Sequence, residues 1–125
     1  MASPLILIAD DEGASRELMS EILRASGYEV IGLADGGRLL EQVAARRPDL
    51  VLLDVMLGGA DGRELCRRIK ADPELGGIPI VLTSAMDEED VNWRECGADA
   101  FRRKAANILH LPAFISGLLR DEDRA

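Results

Sequence analysis

Short apolar runs recur along this chain, and two of them stop abruptly on acids. Leu50-Val-Leu-Leu53 follows Pro48-Asp49, ends on Asp54, and is succeeded by Val55-Met-Leu-Gly58-Gly59. A run this short between proline and glycine signals predicts a strand buried on both faces. Leu5-Ile-Leu-Ile-Ala9 repeats the pattern and ends on Asp10-Asp11-Glu12. Between them the spacing changes to that of amphipathic helices. Leu18, Met19, Ile22 and Leu23 share one face of a helix over 14–25, with Gly27 as its C-cap. A strand follows over 29–34. A second helix opens at Gly36-Gly37, carries Leu39, Leu40, Val43 and Ala44, and cannot continue through Pro48.

Beyond Asp54 comes a glycine-rich loop, then a helix with Leu65, Cys66 and Ile69 inward, ended by Asp72-Pro73 and Gly76-Gly77. The fourth strand spans 78–84, with Pro79 at its start, where a strand tolerates proline. A short, very acidic helix is predicted over 87–95, a fifth strand over 98–103 and a last helix over 108–119, with Pro112 either kinking it or marking a late start. Five strands alternating with helices predict an α/β fold with a parallel sheet, right-handed crossovers and helices on both faces. In the doubly wound, flavodoxin-like (βα)5 arrangement the strand order is 2-1-3-4-5, so strands one and three adjoin at the switch point. That order puts Asp10 and Asp11 beside Asp54, and Ser84 and Lys104 on the same rim.

Composition narrows the function. The 125 residues suit one domain, and the formal net charge of −8 argues against a nucleic-acid or anionic-membrane surface. No apolar run is long enough for a membrane span, no signal peptide is evident, and Cys66 and Cys96 read as reduced thiols of a cytosolic protein. The expected organisation is one domain over residues 1–120 and an acidic tail over 121–125.

Three carboxylates brought together repel one another; at an effective dielectric near 20 each close pair costs about 4 kcal/mol. A divalent cation removes the conflict. Mg²⁺ takes oxygen ligands, retains waters and uses one or two carboxylates, so Asp11, Asp54 and a backbone carbonyl after Asp54 suffice. With its charge balanced, Asp54 can attack phosphorus and form an acyl phosphate. A hydroxyl from Ser84 and an ammonium from Lys104 would stabilise the transferred group's oxygens.

Asp10-Asp11, Asp54, Asp61-Gly62, Ser84-Ala85 and Lys104, in this order and each at a strand end, resemble the receiver domain of bacterial two-component response regulators. The resemblance covers roughly residues 4–120. It implies that Asp54 accepts a phosphoryl group from a histidine kinase or phosphotransfer protein, with Mg²⁺ held by Asp11, Asp54 and the Met56 carbonyl and Asp10 acting through water. Ser84 and Lys104 would contact the phosphoryl oxygens, and Ser84 and Phe101 would form the switch. Met56 and Met86 would flank the path of the hydrolytic water. The implied partners are the kinase, a downstream effector or output domain, and a second copy in a phosphorylation-dependent homodimer. Such a domain is a signalling module that assists its own phosphoryl transfer and slow dephosphorylation rather than an enzyme.

The chain departs from that pattern in several places. Ala105 replaces the family's proline after the lysine, so a trans bond is expected there. Gly58 stands where proline is common, the segment from Ser84 to Gly97 is short, and Trp93 lies within it. Arg102-Arg103 replaces apolar residues and reads as a solvated edge strand. Trp93 and the Phe101/Arg103 side of strand five are the expected partner surface, and His110 is neither ligand nor base. Two other functions remain open on this reading: a pseudo-receiver that binds partners without phosphate, and a flavodoxin-like or phosphatase-type enzyme. The chain lacks the Asp-X-Asp pattern of such a phosphatase at its first strand and has few aromatics for a flavin.

Overall fold

A computed structural model describes residues 3–123. The apolar runs form parallel strands: β1 (Leu5–Ala9), β2 (Glu29–Leu33), β3 (Leu50–Asp54), β6 (Ile80–Ser84) and β7 (Ala100–Arg103). They make one sheet in the order β2-β1-β3-β6-β7. With the small strands β4 (Met56–Leu57) and β5 (Ala60–Asp61) set aside as a separate hairpin, this is the expected 2-1-3-4-5 order. The helices are α1 (Gly13–Ala25), α2 (Leu39–Arg46), α3 (Gly62–Ala71), α4 (Glu88–Val91) and α5 (Leu111–Asp123).

Period-two alternation divides the core between the two sheet faces. Leu7, Val51, Leu53 and Leu82 pack with Leu39, Val43, Leu65 and Ile69 from α2 and α3. Ile6, Ile8, Leu50, Leu52 and Val81 face Met19, Leu23, Leu111 and Ile115 from α1 and α5. All five residues of β3 and of β6 are buried, as the continuous apolar runs require. At the far edge Lys70 Nζ donates to Asp99 Oδ2 (2.7 Å) and to the carbonyls of Gly76 and Ile78, tying the loop after α3 to the start of β7.

The structure differs from the sequence reading in four places and, at Pro112, decides between two expected outcomes in favour of a late start of the last helix. The acidic stretch 87–95 is helical for one turn only, because Asn92 takes the left-handed conformation (φ 54°) and ends α4. Trp93 then turns back, half-buried against the core, and donates to Glu88 Oε1 (3.0 Å). The loop after Asp54 contains the β4–β5 hairpin, turned by Gly58-Gly59 with Gly58 at φ 59°. Proline cannot adopt that angle, which accounts for glycine here. Pro112 lies in the first turn of α5, where a missing N–H breaks no helical bond; a 3₁₀ turn (Ile108–His110), capped by Asn107, precedes it. Arg102 is not a solvated edge residue but is 8% exposed. Finally, α5 continues into the stretch expected as an acidic tail, and residues 124 and 125 of that stretch lie outside the described residues.

Candidate functional site at the carboxyl end of the sheet

The β1–β3 pairing aligns Ala9 with Leu53, so the acids that follow both strands emerge side by side. Asp10 and Asp54 are buried and Asp11 is exposed, and each offers a carboxylate oxygen within 4.8 Å of the others. Each acid is held by backbone. Glu12 N donates to Asp10 Oδ1 (2.9 Å), Met56 N to Asp54 Oδ1 (3.1 Å) and Gly58 N to Asp11 Oδ2 (3.1 Å). The last bond carries the β4–β5 turn onto the cluster.

Lys104 comes from the end of β7 across the top of β6. Its N–H donates to the Ser84 carbonyl (2.9 Å). Its Nζ reaches Asp54 Oδ2 at 2.7 Å and Asp10 Oδ1 at 3.2 Å. Burial pushes the Asp54 carboxyl above the ordinary carboxylate range; the bonds from Lys104 and Met56 oppose this, and the facing Asp10 charge adds to it. For Lys104, burial lowers the affinity for its proton, but the bonds to Asp54 and Asp10 outweigh that and hold the ammonium above its usual range.

The donor set fits a hard divalent cation. Three formal negative charges against the one of Lys104 leave two uncompensated, and every donor is an oxygen. Asp10 Oδ2 is buried and has no hydrogen-bond partner among the described residues, which suits an acid that would reach a cation through water.

Ser84 is 1% exposed at the end of β6, and its hydroxyl accepts from Met86 N (3.0 Å). Phe101 is half-buried against the α2/α3-side core. Met56 and Met86 are 63% and 37% exposed on the two loops that carry these bonds. The cluster thus unites Asp10, Asp11, Asp54 and Lys104, with the Met56 backbone attached, while among the described residues no hydrogen bond joins Ser84, Phe101 or Met86 to these acids.

Asp61 and Gly62 have a structural reason for their pairing. Asp61 caps α3 by accepting from Arg63 N (2.8 Å) and pairs with the Arg63 guanidinium, whose bond holds the Asp61 carboxyl below its usual range. Gly62 N donates to the Val55 carbonyl (2.8 Å), and a Cβ at Gly62 would collide with the Asp54 carbonyl oxygen. The start of α3 is therefore pressed against the strand that presents Asp54.

Sequence reading missed Arg16. Its NH1 donates to the Asp10 carbonyl (2.7 Å), and its stem crosses Gly32, where a Cβ would lie 3.2 Å from Arg16 Cδ. The one sequence signal was a glycine inside an edge strand, which marks a close approach.

A family model described as the response regulator receiver domain matches residues 6–115. The chain belongs to the receiver domain family. Among curated relatives, this receiver is 38% identical over 122 residues to the phosphate regulon transcriptional regulatory protein PhoB of Pseudomonas aeruginosa, covering 96% of this chain and 53% of that protein. It is 39% identical over 120 residues to the DNA-binding response regulator MtrA of Mycobacterium tuberculosis, covering 94% and 51%. The chain thus spans about half the length of these relatives. Since their names specify transcription and DNA, the expected exclusion of nucleic acid does not extend to a longer protein carrying such a receiver. Among solved structures, the receiver domain of a signal transduction histidine kinase from Syntrophus aciditrophicus superposes with a TM-score of 0.88 at 34% identity, over 98% of this chain and 95% of that one. A CheY-like receiver from Methanospirillum hungatei gives 0.89 at 26%, over 98% of both. The receiver is a signalling domain, and among its described residues no helix is long and apolar enough to cross a membrane.

Proposed function

We propose that this receiver, residues 1–120, is a cytoplasmic phosphoacceptor that takes a phosphoryl group from a histidine kinase or phosphotransfer protein onto Asp54. The observation that carries the reading is the contact of Lys104 Nζ with both Asp54 Oδ2 (2.7 Å) and Asp10 Oδ1 (3.2 Å), beside the exposed Asp11. A buried carboxylate held at a strand end, with an ammonium already on it, is prepared for a reaction that brings more negative charge to the same place.

In this mechanism an Asp54 carboxylate oxygen attacks phosphorus, the P–N bond of the phosphohistidine breaks, and the imidazole departs with the bonding electrons. Met56 N holds Asp54 Oδ1 and so fixes the carboxylate plane. Lys104 keeps its proton throughout and moves from the carboxylate to a phosphoryl oxygen. Ser84 releases Met86 N and turns its hydroxyl toward another, with Phe101 following into the space near β7. Asp11, Asp54 and the Met56 carbonyl would hold Mg²⁺, with Asp10 through water; when bound, the ion neutralises the phosphoryl oxygens. Output passes to an effector or output domain, or to a second phosphorylated copy, through Trp93 and the Phe101/Arg103 side of β7.

Incubation with acetyl phosphate and Mg²⁺, followed by intact-mass measurement, tests the reading. One added phosphoryl group, lost in Asp54→Asn, is expected. No added mass would leave the receiver as a partner-binding module that works without phosphate.

A further inference from the structure

Arg102 is an anomaly in the fold. It occupies β7 opposite Thr83, is 8% exposed, and makes no ion pair with a carboxylate among the described residues. Burial pulls its guanidinium below its ordinary range. A charged group is expensive to bury unless hydrogen bonds repay it. Those bonds go to two main-chain carbonyls: Arg102 NH2 lies 2.9 Å from the Asn107 oxygen and 3.3 Å from that of Ala106. The loop from Arg103 to Asn107 therefore closes around the Arg102 side chain.

Lys104 lies inside that loop. Its amide is pinned on one side by the Ser84 carbonyl (2.9 Å), and Ala106 N closes a turn on the Arg103 carbonyl (3.1 Å). Asn107 continues the restraint by accepting from Leu109 N (3.0 Å) at the start of the 3₁₀ turn. The residue after Lys104 is alanine, which imposes no backbone restraint of its own, so the loop's geometry depends on its hydrogen bonds.

From this geometry we infer that Arg102 is a positioning residue: by clamping the Ala106 and Asn107 carbonyls, it holds the Lys104 loop so that Nζ is aimed at Asp54. It touches neither the acids nor a phosphoryl group. It acts through the backbone on Lys104, which contacts Asp54 and Asp10. The inference rests on the reading of Asp54 as phosphoacceptor for its consequence, but the clamp itself is a property of the unphosphorylated protein.

Two variants and two measurements test it. Arg102→Met keeps the stem and removes every donor; Arg102→Lys keeps a charge that can reach one carbonyl. The first measurement is amide hydrogen exchange without phosphate. Lys104 N–H is expected to exchange faster in Arg102→Met while β3 amides keep their protection; a uniform change across the sheet, or none at Lys104, overturns the clamp. The second is affinity for beryllofluoride in saturating Mg²⁺. Roughly tenfold weaker binding is expected in Arg102→Met, with Mg²⁺ affinity unchanged and Arg102→Lys intermediate, since misplacing a reacting group by about an ångström has effects of this size or larger. Equal beryllofluoride affinity in a wild type and variant that both bind it overturns the role. If wild type binds none, the phosphoacceptor reading fails, and the exchange result decides the clamp alone. Should Arg102→Met not fold, Arg102→Lys matching wild type in both measurements overturns the inference.

Discussion

Lys104 Nζ lies 2.7 Å from Asp54 Oδ2, and both side chains are largely shielded from solvent, with Asp54 at 3% and Lys104 at 25% exposure. The contact joins the ends of β3 and β7, which are not neighbours in the sheet; β6 lies between them. Lys104 spans β6 by hydrogen-bonding to its last carbonyl, at Ser84. One cation so placed compensates one of three carboxylates and leaves the site dependent on what else it binds.

Asp54→Asn should stabilise the metal-free protein at neutral pH. The folded-state carboxyl is raised above its ordinary value of 3.8, chiefly by burial. As pH rises from 3.8 through that higher value, the native state holds more protons than the unfolded chain, so wild-type stability falls across this window. The asparagine variant has no such titration. Its thermal midpoint in chelator-containing buffer should match or trail wild type at the acid end and exceed it once the window is passed. A difference of the opposite sign at neutral pH would mean that the Lys104 contact outweighs burial.

Mg²⁺ should stabilise the wild type by mass action, reaching about 2.7 kcal/mol at a hundredfold excess over the dissociation constant. Asp11→Asn should lose most of this, because Asp11 is the exposed member of the cluster and the easiest for a hydrated ion to reach. Amide shifts should concentrate at Glu12, Met56 and Gly58, whose N–H groups already bond the three carboxylates. Shifts confined to the acidic α4 segment would place the ion elsewhere.

Gly62→Ala should destabilise the fold and disturb the site together. The added methyl meets the Asp54 carbonyl, which is backbone in a fully buried strand, so α3 must move rather than a side chain. Overpacking of this kind costs roughly 1–3 kcal/mol. Urea denaturation gives the loss, and Mg²⁺ affinity reports the displacement of Asp54. Ala at Gly59, where nothing lies within 4 Å of an added Cβ, is the control.

Phospho-Asp54 should be long-lived. In the phosphoacceptor reading Met56 and Met86 flank the path of the hydrolytic water, and a thioether is too weak an acceptor to orient it. Met56→Asn combined with Met86→Glu should speed hydrolysis about tenfold or more, corresponding to roughly 1.4 kcal/mol of barrier. Their exposure, 63% and 37%, leaves room for both replacements without repacking. An unchanged decay rate would shift attention to the Lys104 loop.

The sequence alone carried the sheet and the order of its strands. Residues 5–9, 50–54 and 80–84 are apolar runs too short for helices, and burying both faces of such strands leaves a parallel sheet between helices as the arrangement that satisfies them. The acids that end two of those strands then had to meet at the switch point, so the grouping of Asp10, Asp11 and Asp54 is legible in the sequence. What the pattern could not convey depended on contacts between residues distant in the chain or on single backbone angles. Asn92 at φ 54° ends α4 early, and Gly58 at φ 59° makes a hairpin of an expected loop; neither angle is stated by the pattern of apolar and polar residues. Arg102 reads as solvent-facing because arginine generally is, and only the closure of residues 103–107 over it supplies the carbonyls that make its burial tolerable. Arg16 reads as one more charge on an amphipathic helix, until the missing Cβ of Gly32 lets it cross β2 to the Asp10 carbonyl. Hydrophobic periodicity is a local property that the chain states directly, whereas the satisfaction of a particular buried donor is decided by which backbone atoms tertiary packing brings within about 3 Å of it.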